Sequence, residues 1–201
     1  MYVINYTLSA VGKKYLLSRK DVWISDLYYT FDSGWDCAFF FSDRKDNGLI
    51  IRNKCFDEKQ DRDEYNAFRI SIGKRSVLEE QRMHFRVNPD KTLTFVERRT
   101  LPWQCVPIHE KIRSADLFRD HVHWKYKNHT WDVTADVAIR ITTSSHKILT
   151  VLCDCVGETL ETYVNYKERE NAILSKRWSK KLCGMKCENA DRWERQIIHL
   201  F

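Results

Sequence analysis

His121 and His123 stand two residues apart, a spacing that puts both imidazoles on one face of a strand. Paired imidazoles can ligate a transition metal, with Asp120 or His109 to complete the shell. The same stretch also supports anion binding. His121, His123, Lys125 and Lys127 share a face, opposite Val122, Trp124 and Tyr126. Three further segments repeat the pattern. Phe68, Ile70 and Ile72 oppose Arg69 and Ser71; Met83, Phe85 and Val87 oppose Arg82, His84 and Arg86; Val137, Ile139 and Ile141 oppose Arg140. A sheet of such strands buries one side and offers cations on the other. Phosphates bind such a platform through ion pairs that salt weakens, because counterions are released. The polyanion-binding candidates are therefore Arg69, Arg82, His84, Arg86, His123, Lys125, Lys127 and Arg140. Trp103, Trp124, Tyr126 and Trp131 are the nearby aromatics for base stacking, although Trp124 on the apolar face reads as core. The histidine pair is read as part of the basic face, and no metal or cofactor is expected.

Other reactive residues form weaker patterns. Cys153 and Cys155 share a strand face, and Cys183 and Cys187 flank Gly184. Structural zinc sites usually use tighter Cys-x2-Cys knuckles, so these thiols read as free and buried. Glu97, Asp136 and Asp154 fall in or near strands, while Glu79-Glu80 and Glu168-Arg169-Glu170 read as helix surface. Neither a glycine-rich phosphate loop nor a recognisable Ser-His-Asp order occurs, so the residues favour binding over turnover.

The elements that must position these side chains follow from periodicity. Tyr2 to Leu8 alternates as a first strand, and Lys20 to Phe31 fits either strand or helix. Trp35–Phe41 and Leu49–Asn53 form a hairpin with Asn47-Gly48 at its turn. Asp57 to Glu64 is a charged loop, and Ser76 to Gln81 a helical turn. Arg82–Val87 and Thr92–Arg98 form a second hairpin around Pro89, and Val133–Thr142 and Lys147–Cys155 a third. Arg99 to Arg113, with Pro102 and Pro107, reads as irregular. Ser114 caps a short helix to Arg119, and a strand follows at Val122–Tyr126. Gly157 to Leu182 and Asn189 to His199 read as helices, the first with acids at its start and cations at its end. The expected fold is α+β: a mostly antiparallel sheet or half-closed barrel over 1–156, then a helical segment over 157–201 packed on it.

Composition fits a folded domain: 201 residues, 43% hydrophobic and 31% charged. The net charge of +6 permits nucleic acid or phosphate partners without requiring them. Seven cysteines with no secretory leader point to reduced thiols in the cytoplasm or nucleus. No apolar run reaches the ~18 residues of a membrane span.

The stretches HFRVNPDKTLTFVERRT, HEKIRSADLF and WDVTADVAIRITT resemble the middle of the triphosphate-tunnel family, which includes metal-dependent RNA triphosphatases. The resemblance implies an antiparallel barrel whose interior cations hold a triphosphate. Arg69, Arg82, Arg86, Arg98, Lys111, Arg113 and Arg140 would be those cations. The family's metal-holding Glu-x-Glu is replaced by Tyr2-Val3-Ile4-Asn5-Tyr6-Thr7, and Asp154 alone is acidic in the Thr150–Cys155 strand. The resemblance thus implies a phosphate shell with lost or altered catalysis. His121-Val122-His123 is similar to the His-x-His of rolling-circle replication nucleases, which would make Tyr163 or Tyr166, with Lys167, the nucleophile candidates. Asp120 stands where that family has an apolar residue.

The expected function is a non-enzymatic intracellular protein binding RNA or another polyanion, in the manner of a viral accessory or matrix-like factor. The alternatives are a divergent tunnel-type triphosphatase, or a protein-interaction module acting through Trp178, Trp193, Ile197, Ile198, Leu200 and Phe201 on the C-terminal helices.

Overall fold

Cys37-Ala38-Phe39-Phe40-Phe41 carries no polar side chain, and all five residues are buried. Such a strand must be covered on both faces, which places it inside a sheet. A computed structural model describes residues 1–30, 36–42, 44–54, 67–74, 83–87, 93–98, 103–126, 129–154, 159–164 and 190–201. The chain opens with β1 (Tyr2–Tyr6), α1 (Ala10–Leu17), β2 (Trp23–Thr30), β3 (Asp36–Phe41), β4 (Arg44–Lys54) and β5 (Ala67–Lys74). There follow β6 (Met83–Val87), β7 (Leu93–Arg98), β8 (Trp103–Tyr126), β9 (His129–Thr143), β10 (Ile148–Asp154), β11 (Thr159–Val164) and β12 (Ala190–His199).

Ten strands form one sheet in the order β11-β10-β9-β8-β2-β3-β4-β5. In addition, β1 lies parallel on β9 and β12 antiparallel on β8; β6 and β7 pair separately. The sheet curls into a half-barrel, so that β5 approaches β9, and β11 approaches β3 and β4. Apolar side chains from the two approaching parts meet inside the curl. Phe39, Phe41, Leu49 and Ile51 share one cluster with Ile139, Ile141, Leu149 and Val151. Phe40, Ala38 and Ile50 occupy the opposite face beneath Tyr28, whose ring meets Phe40 edge-on at 5.3 Å.

The long ribbon of β8 and β9 organises the sheet. On one edge of β9, β10 takes Ala138–Thr142 and β1 takes Trp131–Ala135. Along β8, β2 takes residues 103–111 and β12 takes residues 116–124. The β2 ladder jumps from Glu110 to Pro107, and His109 has φ 50° at that jump. Proline lacks an amide proton, so a bulge is where a sheet accommodates it.

Before β2, α1 is capped by Ser9, whose Oγ accepts from the Gly12 amide at 3.1 Å. It buries Tyr15 and Leu16, and the Arg19 guanidinium lies over the Tyr15 and Phe41 rings. Among the described residues α1 is the one helix, and no helix is long and apolar enough to cross a membrane.

Several expectations are corrected. The class is mostly β rather than α+β, and among the described residues the expected C-terminal segment contributes strands, not helices. Asn189–His199 is strand β12 from Ala190 onward. Arg192 and Glu194 are exposed on either side of Trp193, which is 7% exposed, the local alternation of a strand, although Ile197 further on is 46% exposed. Thr159–Val164 of the first expected helix is strand β11, paired with β10; residues 165–182 lie outside the described residues. The described strands of 157–201, β11 and β12, thus belong to the ten-stranded sheet. Apolar spacing at Trp193, Ile197 and Ile198 also fits a helix, but pairing with β8 decides the outcome, as tertiary context often does. Arg99–Arg113 and the Ser114 helix give way to the single strand β8 from Trp103. Asn47-Gly48 lies within β4, where Gly48 pairs Phe40 and Gly73, rather than at the turn. The expected loop at Asp57–Glu64 and helical turn at Ser76–Gln81 lie outside the described residues.

Candidate functional site

The expected basic platform is distributed as follows. Arg140 pairs directly across from Asp116, and its Nε and Nη2 donate to Asp116 Oδ2 at 3.0 and 2.7 Å. His199 of β12 lies on the other side of Asp116, with Nδ1 2.7 Å from Oδ1. Asp116 thus sits between two cation-forming side chains, and Arg140 is already neutralised. Lys125 occupies β8 opposite Thr130. Nine residues of β8, roughly 30 Å of strand, separate it from Asp116 and so from Arg140. That exceeds the screening length of about 10 Å, so the two charges do not act jointly on one phosphate. Arg69 lies in β5 opposite Arg52; His84 and Arg86 lie in β6 opposite Glu97 and Thr94, in the separate two-stranded ladder. Arg82 and Lys127 lie outside the described residues.

His121 and His123 do share a face, as their spacing requires. His121 is exposed, with Nδ1 3.0 Å from the Thr134 hydroxyl. His123 is half-buried and lies between Arg192 of β12 and Asp132 of β9. Together with Val122 and Glu194 these residues line a groove of about 470 Å³. The metal shell does not assemble there. Asp120 turns to the opposite face, where Arg195 Nε and Nη2 donate to its two oxygens at 2.6 and 2.8 Å. Among the described residues no three His, Cys, Asp or Glu side chains are grouped to hold a metal. Cys105 is an exposed free thiol and Cys37 is buried; the side chain of Cys153, and residues Cys155, Cys183 and Cys187, fall outside what is described.

Among the described residues a different pair of exposed cations stands without a carboxylate partner. In Glu110-Lys111-Ile112-Arg113, Ile112 is 2% exposed while Lys111 and Arg113 on either side of it are exposed, Arg113 being the extra residue where the β9 ladder shifts between Ile112 and Ser114. Among the described residues neither makes an ion pair. The Arg113 Nη1 lies 3.2 Å from Nε2 of His146, which is exposed at the β9–β10 turn with φ 65°. His109 is exposed on the same β8 segment. Trp23 pairs directly across from Lys111 and is 46% exposed. The nearby Asp21 is exposed and is the carboxylate closest in sequence to Trp23.

Glu110 holds this surface in shape from beneath. Its carboxylate accepts from the Lys147 ammonium, the Ser145 hydroxyl and amide, and the Thr143 hydroxyl. Desolvation pushes the Glu110 carboxyl up, but these hydrogen bonds together outweigh it and bring its pKa from 4.5 to about 2. The turn carrying His146 is thereby tied to β8 beside Arg113. Sequence reasoning reached Lys111 and Arg113 through the tunnel resemblance alone and did not nominate Trp23 or His146. The available signal was the alternation around Ile112, which the two nearby prolines obscured.

No family model, curated protein or solved structure matches the chain.

Proposed function

We propose that this protein binds a phosphate-rich polyanion, RNA being the leading class, without turning it over. The observation that carries the reading is the adjacent pair Lys111 and Arg113, both exposed and neither ion-paired among the described residues. Cations on a protein surface are ordinarily screened by carboxylates or left scattered. Here the two exposed cations flank buried Ile112 on β8, with His146 against Arg113 and His109 on the same segment. The net charge of +6 adds long-range attraction for an anionic chain. The binding face is therefore the Lys111–Arg113 stretch of β8 rather than the Arg140 region, where Asp116 occupies the guanidinium. Such a protein would work in a reducing compartment, with thiols such as Cys105 left free.

The test is the electrophoretic mobility of short RNA at stepped salt concentrations, with Lys111→Ala and Arg113→Ala beside the wild type. Retention at low salt that collapses as salt rises, and weakens in both variants, supports the reading. Wild-type affinity that does not respond to salt sinks it.

A further inference from the structure

Trp23 is the one tryptophan with a described side chain that the core does not take; Trp193, the other, is 7% exposed. Its outward position is fixed by its neighbour. Ile24 is fully buried, and a slip of one residue would exchange the two. The backbone around it is clamped on both sides. The Trp23 carbonyl accepts from the Ser42 amide at 3.0 Å, towards β3. On the β8 side, Asp21 N donates to Ile112 O and Ile112 N donates to Val22 O, each at 3.0 Å. Trp23 therefore faces Lys111 with its own peptide groups directed to β3. Side chains in that kind of cross-strand pair approach most closely, with Cβ atoms about 4.5 Å apart. An exposed indole thus faces an exposed ammonium across β2 and β8, and the exposed guanidinium of Arg113 follows two residues along β8, at the bulge before Ser114.

Resting on the polyanion reading above, we propose that the Lys111–Arg113 surface takes single-stranded nucleic acid, with one base stacked on the indole of Trp23. The chemistry separates this ligand from the other phosphate-rich polymers. Inorganic polyphosphate offers charge but nothing to stack. A duplex presents phosphates outward and keeps its bases paired inside, so it meets Lys111 and Arg113 but leaves the indole face empty. A single strand presents both, with the base and its flanking phosphates one nucleotide apart. Stacking on a ring already held in place costs little ordering entropy, and every base has a π-face, so the preference is for strandedness rather than for sequence.

The experiment is fluorescence anisotropy with a labelled single-stranded RNA of about 12 nucleotides, within the span that single-strand binders cover. Its comparators are single-stranded DNA of the same sequence, the RNA duplex and inorganic polyphosphate as competitor. The proteins are wild type, Trp23→Ala, Trp23→Phe and the double variant Lys111→Ala/Arg113→Ala, each with its thermal midpoint measured. Trp23→Ala is expected to weaken both single strands about tenfold and to change duplex and polyphosphate by less than about twofold. Trp23→Phe, which keeps an aromatic face, should recover most of the loss. A Trp23→Ala variant that keeps its midpoint and binds single strands as the wild type does overturns the stacking. So does an equal loss across all four ligands, or a wild type that binds duplex as tightly as single strand. If the double variant loses every ligand while Trp23→Ala is silent, the polyanion reading stands and the stacking alone falls. If no ligand binds the wild type at low salt, the polyanion reading falls with it.

Discussion

Arg195 of β12 lies directly across from Asp120 of β8, and its guanidinium grips both carboxylate oxygens in a setting where Asp120 is 1% exposed. The Arg195 guanidinium also lies 5.4 Å over the Trp193 ring. Four residues along β8, Asp116 receives His199 in the same ladder. Two carboxylates on one strand thus fasten the last strand of the chain.

A buried ion pair is costly to break from one side, because the remaining charge is left desolvated. Asp120→Ala should destabilise the protein by about 3–5 kcal/mol in urea unfolding. Replacing both partners, as in Asp120→Leu/Arg195→Met, should recover most of that loss, since the pair then leaves no orphan charge. A cost below about 1 kcal/mol for Asp120→Ala, the scale of an exposed pair, would show that β12 does not depend on this contact.

Gly48 and Gly73 pair across β4 and β5, but they are not equivalent. A Cβ at Gly48 would lie 2.7 Å from the Phe39 carbonyl oxygen and 2.8 Å from the Phe40 ring. A Cβ at Gly73 would meet only the end of the Ile50 side chain. A backbone carbonyl cannot move without disturbing the ladder, whereas Ile50 can change rotamer. Gly48→Ala should therefore cost about 1–3 kcal/mol, the range of core overpacking, and Gly73→Ala clearly less. Equal losses in thermal unfolding would contradict this assignment.

The same residues show which parts of the fold the chain announces. Where polar and apolar residues alternate, as at His121–His123, strand and face follow from period alone; at Val137–Ile141 period gives the strand, but Ala138 is buried on the face of Arg140 as well. Period could not reveal long-range partners. Arg195, with Trp193 and Ile197 beside it, suits a helix until Asp120, 75 residues earlier, is known to receive it. Pro107 suggested an irregular segment because proline breaks ladders, yet β8 absorbs it in the bulge that gives His109 its positive φ. Asn47-Gly48 is a strong turn signal, but Gly48 is required where Phe40 approaches its backbone. For the site, the cation alternation was visible and its neutralisation was not. Arg140 reads as a free cation until Asp116, 24 residues away, takes it.

Glu110 makes stability depend on acid in one window. Its folded pKa of about 2 lies below the ordinary 4.5, so the unfolded chain binds its proton first. The stabilisation is then fully present above pH 4.5 and is lost as pH falls towards 2. The shift sets an upper bound of about 3 kcal/mol for this contribution. Glu110→Gln should therefore unfold at lower denaturant than the wild type at pH 7, and the gap should close as pH approaches 2. A gap that stays constant across that range would remove Glu110 as the clamp on the His146 turn.

Lys111 and Arg113 should set the salt response of binding. Each phosphate contact to a single strand contributes about 0.7 to the slope of log affinity against log salt. Losing both cations should thus reduce that slope by about 1.4, with affinity falling most at low salt. Arg192 supplies the control. It is exposed, but its guanidinium already donates to Glu194 at 2.7 and 2.9 Å. Neutralising it removes one positive charge and leaves Glu194 behind, so total charge changes as in a single Lys111→Ala. If proximity to the ligand matters, Arg192→Ala leaves the slope where it was while Lys111→Ala lowers it. If only net charge matters, the two variants shift it alike, and the Lys111–Arg113 stretch of β8 has no special claim on the ligand.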